Sequence, residues 1–388
     1  MMIYLDNAAT SFPKPSQVND RMIQFLREEA ANPGRSGHRL SVAAEKAVDQ
    51  TRDLVAKFFN AKDVNRVIFT LNGTDSLNIA IKGLVRKGIH VISTVAEHNS
   101  VLRPLAHLED EGEISVTHVD VDDEGRINVE DVKKAWKENT KIVVMTHASN
   151  VLGTIQPIRE VGQFVREKGG WFILDAAQSA GHLPIDLEKD PIDILALPGH
   201  KGLFGPPGTG ILYIGERIQV GDIKAWRIGG TGADSESRVQ PNELPYLLEG
   251  GTPNTAGIAG LGEGIRFLNK QGLDQIRQHE IDLMKQLVSG LKGIEHLKMY
   301  GPVNPEDRVA AVLVNVEGLE PADLGSILDE SFQIAVRTGL HCAPLIHKRL
   351  GTSPLGGVRI SPGFFTTKDD IDKTISAFRE IVAQTFAS

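Results

Sequence analysis

The chain has 388 residues, of which 41% are hydrophobic and 24% are charged, and it exceeds the size at which one hydrophobic core usually stops growing, so we expect two domains. Its 42 Lys and Arg residues against 50 Asp and Glu residues give a net charge of −8, which argues against nucleic-acid binding. One cysteine, no secretory leader and no apolar run of membrane-helix length together predict a cytoplasmic protein without membrane spans.

Short β-branched runs alternate with helical segments from residue 16 to about residue 215. Segments with helical periodicity at 129–139 and 158–168 separate some of the predicted strands. We predict seven strands, at 66–70, 90–93, 114–117, 141–145, 171–174, 193–196 and 210–214. This alternation is typical of an α/β fold with a mostly parallel sheet and helices on both faces. In such sheets, ligands bind beyond the carboxyl ends of the strands.

The pattern changes after residues 250–254. Longer helices are predicted at 256–270 and 273–293, followed by a strand at 309–316 and by helices that begin at Pro321 and Lys368. We therefore predict a large domain over residues 16–255. A smaller α+β domain is predicted to combine residues 256–388 with the N-terminal segment 1–15.

Polar residues follow the ends of several predicted strands, among them His98, Asn150, Asp175 and Lys201. Three of these supply what pyridoxal phosphate (PLP) needs, namely a lysine amine for a Schiff base, a carboxylate for the ring nitrogen and a histidine to stack on the ring. Gln178, three residues after the aspartate, is a candidate partner for the 3-hydroxyl group. Taken singly, Lys201 could be a surface lysine and Asp175 an ordinary helix N-cap, so the prediction depends on their shared position.

The segment 72–76, Asn-Gly-Thr-Asp-Ser, lies between the strand at 66–70 and a predicted helix at 77–84. Backbone N–H groups at a helix N-terminus suit a phosphate, although an ordinary N-cap would have the same sequence. The carboxylate of Asp75 would repel a phosphate unless it points away. A second glycine-rich segment, 205–210, resembles the start of a P-loop but lacks the lysine and hydroxyl residue that must follow, so we interpret it as a turn.

The single cysteine, Cys342, lies in the segment Arg-Thr-Gly-Leu-His-Cys-Ala at 337–343. A lone cysteine is often an inert buried thiol, but the neighbouring glycine and proline favour an exposed loop, where Arg337 would favour the thiolate. The nearby histidines do not complete a metal-ligand set, so no metal is expected. Arg359 is either a bidentate partner for an amino-acid carboxylate or a solvent-facing strand residue. A PLP lysine together with a loop cysteine suggests chemistry on sulfur.

Seven motifs, in this order along the chain, resemble the class V aminotransferase superfamily and, within it, the cysteine desulfurases and selenocysteine lyases. They are Tyr4-Leu-Asp6-Asn7-Ala-Ala-Thr10, Glu97-His98-Asn99, His147-Ala-Ser-Asn150-Val-Leu-Gly153-Thr, Asp175-Ala-Ala-Gln178, Gly199-His200-Lys201, Gly251-Thr252-Pro-Asn-Thr and Arg337-Thr-Gly-Leu-His341-Cys342-Ala. The resemblance implies PLP fold type I and a homodimer with its active sites at the subunit interface. The compact cysteine loop resembles that of group II desulfurases.

The resemblance also implies a role for each candidate site residue. Catalytic roles fall to Lys201, Cys342 and His98. PLP would be held by Thr74, Asp75, His98, Asp175, Gln178, His200, Lys201 and, from the partner subunit, Thr252. The substrate would be bound by Asn150, Arg337 and Arg359. Three residues depart from the family pattern: Pro198 and Asp75 replace hydroxyl residues near the phosphate, and Leu340 replaces a histidine in the cysteine loop.

The implied activity is the conversion of L-cysteine to L-alanine, with the sulfur transferred to Cys342 as a persulfide. A sulfur-acceptor protein and iron–sulfur cluster assembly would follow from that activity. One alternative is a selenocysteine lyase. Others are an aminotransferase or β-lyase of the same superfamily that does not use Cys342, and a non-catalytic partner protein with this fold.

Overall fold

A computed structural model describes residues 2–34, 37–233 and 236–387. The helices are α1 (Ser16–Glu28), α2 (Arg39–Phe58), α3 (Gly73–Leu84), α4 (Asn99–Asp110), α5 (Val129–Ala135), α6 (Ile158–Glu167), α7 (Thr255–Gln271), α8 (Leu273–Leu291), α9 (Pro321–Phe332), α10 (Pro344–Arg349) and α11 (Lys368–Phe386). The strands are β1 (Ile3–Tyr4), β2 (Val67–Thr70), β3 (Ile89–Thr94), β4 (Ile114–Val119), β5 (Thr140–Thr146), β6 (Trp171–Asp175), β7 (Ile194–Pro198), β8 (Gly210–Ile214), β9 (Leu297–Tyr300), β10 (Val312–Val316), β11 (Ile334–Ala335), β12 (Arg337–Gly339) and β13 (Gly357–Ile360). Within these ranges, no helix combines the length and apolarity needed to cross a bilayer.

All seven strands predicted in the first part of the chain lie in one sheet, in the order β2-β8-β7-β6-β5-β3-β4. The pairings are parallel except at β8, which runs antiparallel to both of its neighbours. Alternate residues enter separate hydrophobic clusters, since Ile173 packs in one cluster and Phe172 and Leu174 in another. Both faces are therefore covered, and the predicted mostly parallel α/β sheet is confirmed.

The covering helices follow from the spacing of apolar and capping residues. In α6, the residues at 158, 161, 162 and 165 are buried, which is the spacing of one helix face. Helix α3 begins at Gly73, four residues before the predicted start, because the Asn72 side chain accepts a hydrogen bond from the Asp75 N–H and caps the helix. Helix α5 is shorter than predicted, because the Lys137 N–H turns to the Thr140 hydroxyl instead of continuing the helix.

The second part of the chain forms a smaller antiparallel sheet in the order β12-β13-β10-β9. Its hydrophobic cluster includes Ile3 and Leu5 from the N-terminal segment, which pairs through β1 with β11. Helix α7, by contrast, contributes Leu261 and Ile265 to a cluster of the large sheet. The domain boundary at residue 255 remains a prediction.

The polar residues predicted to follow strand ends lie at one edge of the large sheet. Asp175 is the last residue of β6, and Lys201 follows the end of the parallel neighbour β7 by three residues. His98 and Asn150 follow β3 and β5, which run in the same direction. The carboxyl edge of the sheet therefore gathers these side chains.

Candidate active site

A cavity of about 210 Å³ opens at this edge. Ten of the twelve predicted site residues line it: Thr74, His98, Asn150, Asp175, Gln178, His200, Lys201, Arg337, Cys342 and Arg359. The two that do not are Asp75 and Thr252. Residues separated by more than 250 positions thus meet in one place.

Lys201 and Asp175 both line this cavity, and their opposite charges attract each other. Burial lowers the pKa of the Lys201 amine to about 8, against the opposing attraction of Asp175. Burial also raises the pKa of Asp175, whose Oδ1 accepts a hydrogen bond from the Ala177 N–H at 2.9 Å. Near neutral pH a useful fraction of the Lys201 amine is uncharged, as a nucleophile or a proton acceptor must be.

We expect Asp175→Ala to retain PLP through its phosphate contacts but to lose about a hundredfold in turnover. The reason is that a charge-assisted hydrogen bond from the ring nitrogen to Asp175 would strengthen in the transition state, by about 3 kcal/mol. Steady-state rates and PLP content measured on the same preparations check this result. Asp175→Asn preserves the shape and the acceptor for Ala177, so an equally large loss in that variant assigns the effect to the charge. Near-normal turnover would mean that another residue holds the ring nitrogen.

His98 is held by the start of helix α4. Its Nδ1 accepts a hydrogen bond from the Ser100 N–H at 3.0 Å, which places the ring proton on Nε2. Burial, with Lys201 nearby, lowers the pKa of His98 to about 4, so the ring is neutral at physiological pH. The Ser100 hydroxyl lies 2.8 Å from the same Nδ1 and 2.7 Å from Thr74 Oγ1, so it connects two predicted site residues. Sequence reasoning missed Ser100, although its place two residues after His98 was a signal.

The first turn of α3 forms a cradle beside Lys201. A Cβ on Gly73 would lie 3.0 Å from Pro198 Cδ, a tighter contact than most Cβ atoms make, so glycine favours this close approach. Thr74 presents its hydroxyl from the same turn, and the free N–H groups of a helix start attract an anion. His200, on the other side, is positioned by a 3.1 Å hydrogen bond between its Nδ1 and Thr10 Oγ1. These groups, with the lysine and two arginines of the cavity, fit a phosphorylated anionic cofactor such as PLP.

Asp75 is turned away from this cradle. Its Oδ2 accepts hydrogen bonds from the Leu71 N–H and from Arg227 Nη2, both at 2.9 Å. Its own N–H is bound to Asn72, so neither group points to the cavity. The predicted contact between Asp75 and the phosphate remains a prediction, and this geometry does not favour it.

Thr252 lies at a different cavity, of about 380 Å³. Its neighbours there include Arg52, Glu249 and Arg227. It does not line the cavity that holds Lys201 and Asp175. Its predicted reach to the phosphate of a partner subunit remains a prediction.

One side of the cavity is built around a buried arginine. Arg359, on β13, is 1% exposed and bonds Asp6 Oδ1 through Nη2 at 2.6 Å and the Asn150 carbonyl through Nη1 at 2.9 Å. Its Nε is buried and has no hydrogen-bond partner among the described residues. Asn150 Nδ2 in turn donates to the His341 carbonyl at 2.7 Å. This connected arrangement places a guanidinium where it can receive a carboxylate.

The N-terminal segment 6–11 contacts four of the predicted site residues, one of which is His200 through Thr10. Asp6 binds Arg359, and the Ala8 carbonyl accepts a hydrogen bond from Gln178 Nε2 at 2.9 Å. The Ser11 hydroxyl donates to the carbonyl of Lys201 at 3.0 Å. The segment therefore closes one side of the site.

Cys342 stands at the mouth of the cavity. It is exposed, and its Sγ lies 3.5 Å from Arg337 Nη2. Its carbonyl accepts a hydrogen bond from the Asn99 N–H at 2.7 Å, which ties the loop to the residue after His98. A thiol in this position is accessible both from the cavity and from solvent.

Glu97 lies behind the cavity and was not predicted as a site residue. Its Oε1 accepts hydrogen bonds from the Thr94 hydroxyl at 2.6 Å and the Thr146 N–H at 3.1 Å. Its Oε2 is buried without a hydrogen-bond partner among the described residues. Burial, reinforced by the negative charge of Asp175, raises the pKa of Glu97 from 4.5 to about 8. At neutral pH this side chain is a carboxylic acid.

This raised pKa predicts a pH-dependent stability difference between Glu97→Gln and the wild type. Folding stabilises the protonated acid, so the wild type loses stability relative to glutamine as pH rises from about 4.5 to about 8. The slope is about 1.4 kcal/mol per pH unit. Urea unfolding across this range measures it. The exposed Glu167→Gln serves as the control, and a parallel pH dependence for wild type and Glu97→Gln would contradict the buried acid.

Comparisons with known proteins agree with this geometry. Residues 3–374 match the Aminotransferase class-V family. The chain is 37% identical to a probable cysteine desulfurase from Pyrococcus abyssi, over 98% of this chain and 94% of that protein. It is 35% identical to another from Methanothermobacter thermautotrophicus, over 98% of this chain and 94% of that protein. The apo structure of a cysteine desulfurase from Thermococcus onnurineus superposes with a TM-score of 0.93 at 36% identity, covering 99% of this chain and 95% of that one.

Proposed function

Since the chain belongs to the class-V aminotransferase family, and within it to the cysteine desulfurases, we propose that it converts L-cysteine to L-alanine with PLP and passes the sulfur to Cys342 as a persulfide. The observation that carries the proposal is one cavity that brings together Lys201, Asp175 and Cys342. The chain has the fold of fold-type-I PLP enzymes.

PLP, when bound, supplies an electron-accepting ring that makes loss of the substrate Cα proton feasible. Asp175 and Gln178 would hold its ring nitrogen and 3-hydroxyl group, and His98 would cover its face. Thr74, His200 and the start of α3 would hold its phosphate. Lys201 would carry the cofactor in the resting enzyme.

Side chains of the protein itself carry out the remaining steps. Arg359 and Asn150 bind the substrate carboxylate and so orient the Cα–H bond. Lys201 Nζ accepts that proton, because its pKa of about 8 leaves part of the amine neutral. Cys342 Sγ then attacks the substrate sulfur, so that an S–S bond forms while the carbon–sulfur bond breaks. The electron pair remains with the carbon fragment, which is protonated and leaves as alanine.

The proposal extends to assembly and pathway. A second copy of the chain would cover exposed apolar side chains such as Trp226, Ile228 and Val239 and would bring its Thr252 toward the phosphate. The exposed Cys342 would pass its sulfur to an acceptor protein, in iron–sulfur cluster assembly. The single cysteine supports a reducing, cytoplasmic location.

The test is to incubate the PLP-loaded protein with L-cysteine and to measure alanine and protein-bound sulfane sulfur. We expect alanine together with sulfane sulfur on the protein. Pyruvate in place of alanine would indicate a β-lyase, and amino-group transfer to a keto acid an aminotransferase. A parallel incubation with L-selenocysteine identifies a selenocysteine lyase if only that substrate yields alanine. Any of these three results would overturn the proposal.

A further inference from the structure

Two buried imidazoles lie beneath the cysteine loop and outside the cavity. His341 is 2% exposed and His347 is 0% exposed. His341 Nδ1 lies 3.2 Å from His347 Nε2, and His347 Nδ1 lies 2.8 Å from Thr352 Oγ1. At the other end, His341 Nε2 lies 3.1 Å from the carbonyl oxygen of Arg337. The mechanism above uses neither ring.

The hydrogen bonds that connect Thr352, His347, His341 and the Arg337 carbonyl all point in one direction. A carbonyl oxygen only accepts, so His341 Nε2 carries the proton and His341 Nδ1 is an acceptor. His347 Nε2 must then be the donor to it, which leaves His347 Nδ1 to accept from the Thr352 hydroxyl at 2.8 Å, a shorter contact than the 3.3 Å from this hydroxyl to the His347 carbonyl. The arrangement needs both rings neutral, and burial lowers the pKa of His341 to about 3 and of His347 to about 4.

The cysteine loop, residues 337–343, has an unfavourable backbone conformation at two positions. His341 and Cys342 have φ values of 50° and 58°, in the left-handed region that residues with a Cβ seldom occupy. Such a conformation persists only where surrounding contacts hold it. By bonding the Arg337 carbonyl four residues back, the His341 ring closes the turn. In the turn so closed, the Arg337 guanidinium lies 3.5 Å from Cys342 Sγ.

We propose that the Thr352–His347–His341 chain of hydrogen bonds positions Arg337 against the thiol of Cys342. The positive charge so placed favours the thiolate, the form that reacts with sulfur. His341 and His347 are then positioning residues, which act through Arg337 and touch no substrate. The inference rests on the proposed function, because Cys342 is taken as the nucleophile, but its test does not require turnover.

Two substitutions of His347 separate the proposal from a simple loss of packing. In His347→Gln the side-chain amide nitrogen reaches the position of Nε2 and can still donate to His341. In His347→Asn the shorter amide reaches only the position of Nδ1, so the bond to His341 is lost. The probe is iodoacetamide, and its rate of reaction with Cys342 near neutral pH is followed by mass spectrometry in the PLP-loaded protein. We expect alkylation about fivefold slower in His347→Asn and close to wild type in His347→Gln.

A double-mutant cycle with Arg337→Ala tests the route of the effect. Because the proposed chain acts through this guanidinium, His347→Asn should slow alkylation little further once the guanidinium is absent. Equal slowing in both backgrounds would overturn the proposal, and so would unchanged or faster alkylation in His347→Asn. Thr352→Val, which removes only the far hydroxyl, should slow alkylation less than His347→Asn and supplies the test if His347→Asn fails to fold. Slower alkylation in a protein that forms no persulfide would reject the proposed function and retain the positioning role.

Discussion

Replacement of Lys201 by alanine is expected to abolish turnover, by at least about a thousandfold, and to remove the covalent attachment of PLP. Among the described residues, Lys201 is the one lysine that lines the cavity, where it faces Asp175. Borohydride reduction followed by peptide mass spectrometry locates the attachment. A reducible lysine–PLP link that survives in Lys201→Ala would refute the assignment.

Lys14 is a matched control for this experiment. Burial lowers the pKa of its amine to about 8, as it does for Lys201. The Lys14 amine, however, donates to the His200 carbonyl and to the Ser11 hydroxyl and does not line the cavity. Lys14→Ala should therefore keep the covalent link. If the link disappears in Lys14→Ala and survives in Lys201→Ala, Lys14 carries the cofactor instead.

Cys342→Ser should bind PLP and cysteine as the wild type does but should fail to form a persulfide. Neither binding step needs the thiol, whereas a hydroxyl is a far weaker nucleophile toward sulfur than a thiolate. Alanine release from cysteine should fall by at least about a hundredfold. Partial activity toward selenocysteine is expected to survive, because the weaker carbon–selenium bond can break without this residue.

Mass spectrometry of the peptide that carries Cys342 checks this result directly. After incubation with cysteine, the wild-type peptide should gain the mass of one sulfur atom and the serine peptide should not. The chain has one cysteine, so no second thiol can produce the signal. Alanine release from Cys342→Ser at the wild-type rate would reject a mechanism in which Cys342 takes the sulfur.

The large sheet was predictable because its strands are buried on both faces and read as short apolar runs. The position of Asp175 at the end of such a run, and of Lys201 after the next, followed from the rule that parallel strands end at one edge. The partners of the site residues were less predictable. Asp6 and Arg359 form an ion pair across 353 residues, and no local pattern announces such a contact.

The direction of the Asp75 side chain depends on a residue that is distant in the sequence. Its place in the first turn of a helix does not show where its carboxylate points, and Arg227, 152 residues further on, binds that carboxylate. Ser100 and Glu97 were missed for a related reason. Their importance comes from hydrogen bonds to Thr74 and Thr146 rather than from residue type or spacing.

The contact between the N-terminal segment and Arg359 joins two residues that the ribosome adds at different times. Ribosomes add about 5–20 residues per second, so roughly 20 to 70 s separate the synthesis of Asp6 from that of its arginine partner 353 residues later. During that interval the large sheet can form, while Asp6 lacks its Arg359 partner. A nascent chain therefore contains Lys201 before it can form the ion pair between Asp6 and Arg359 on the other side of the cavity.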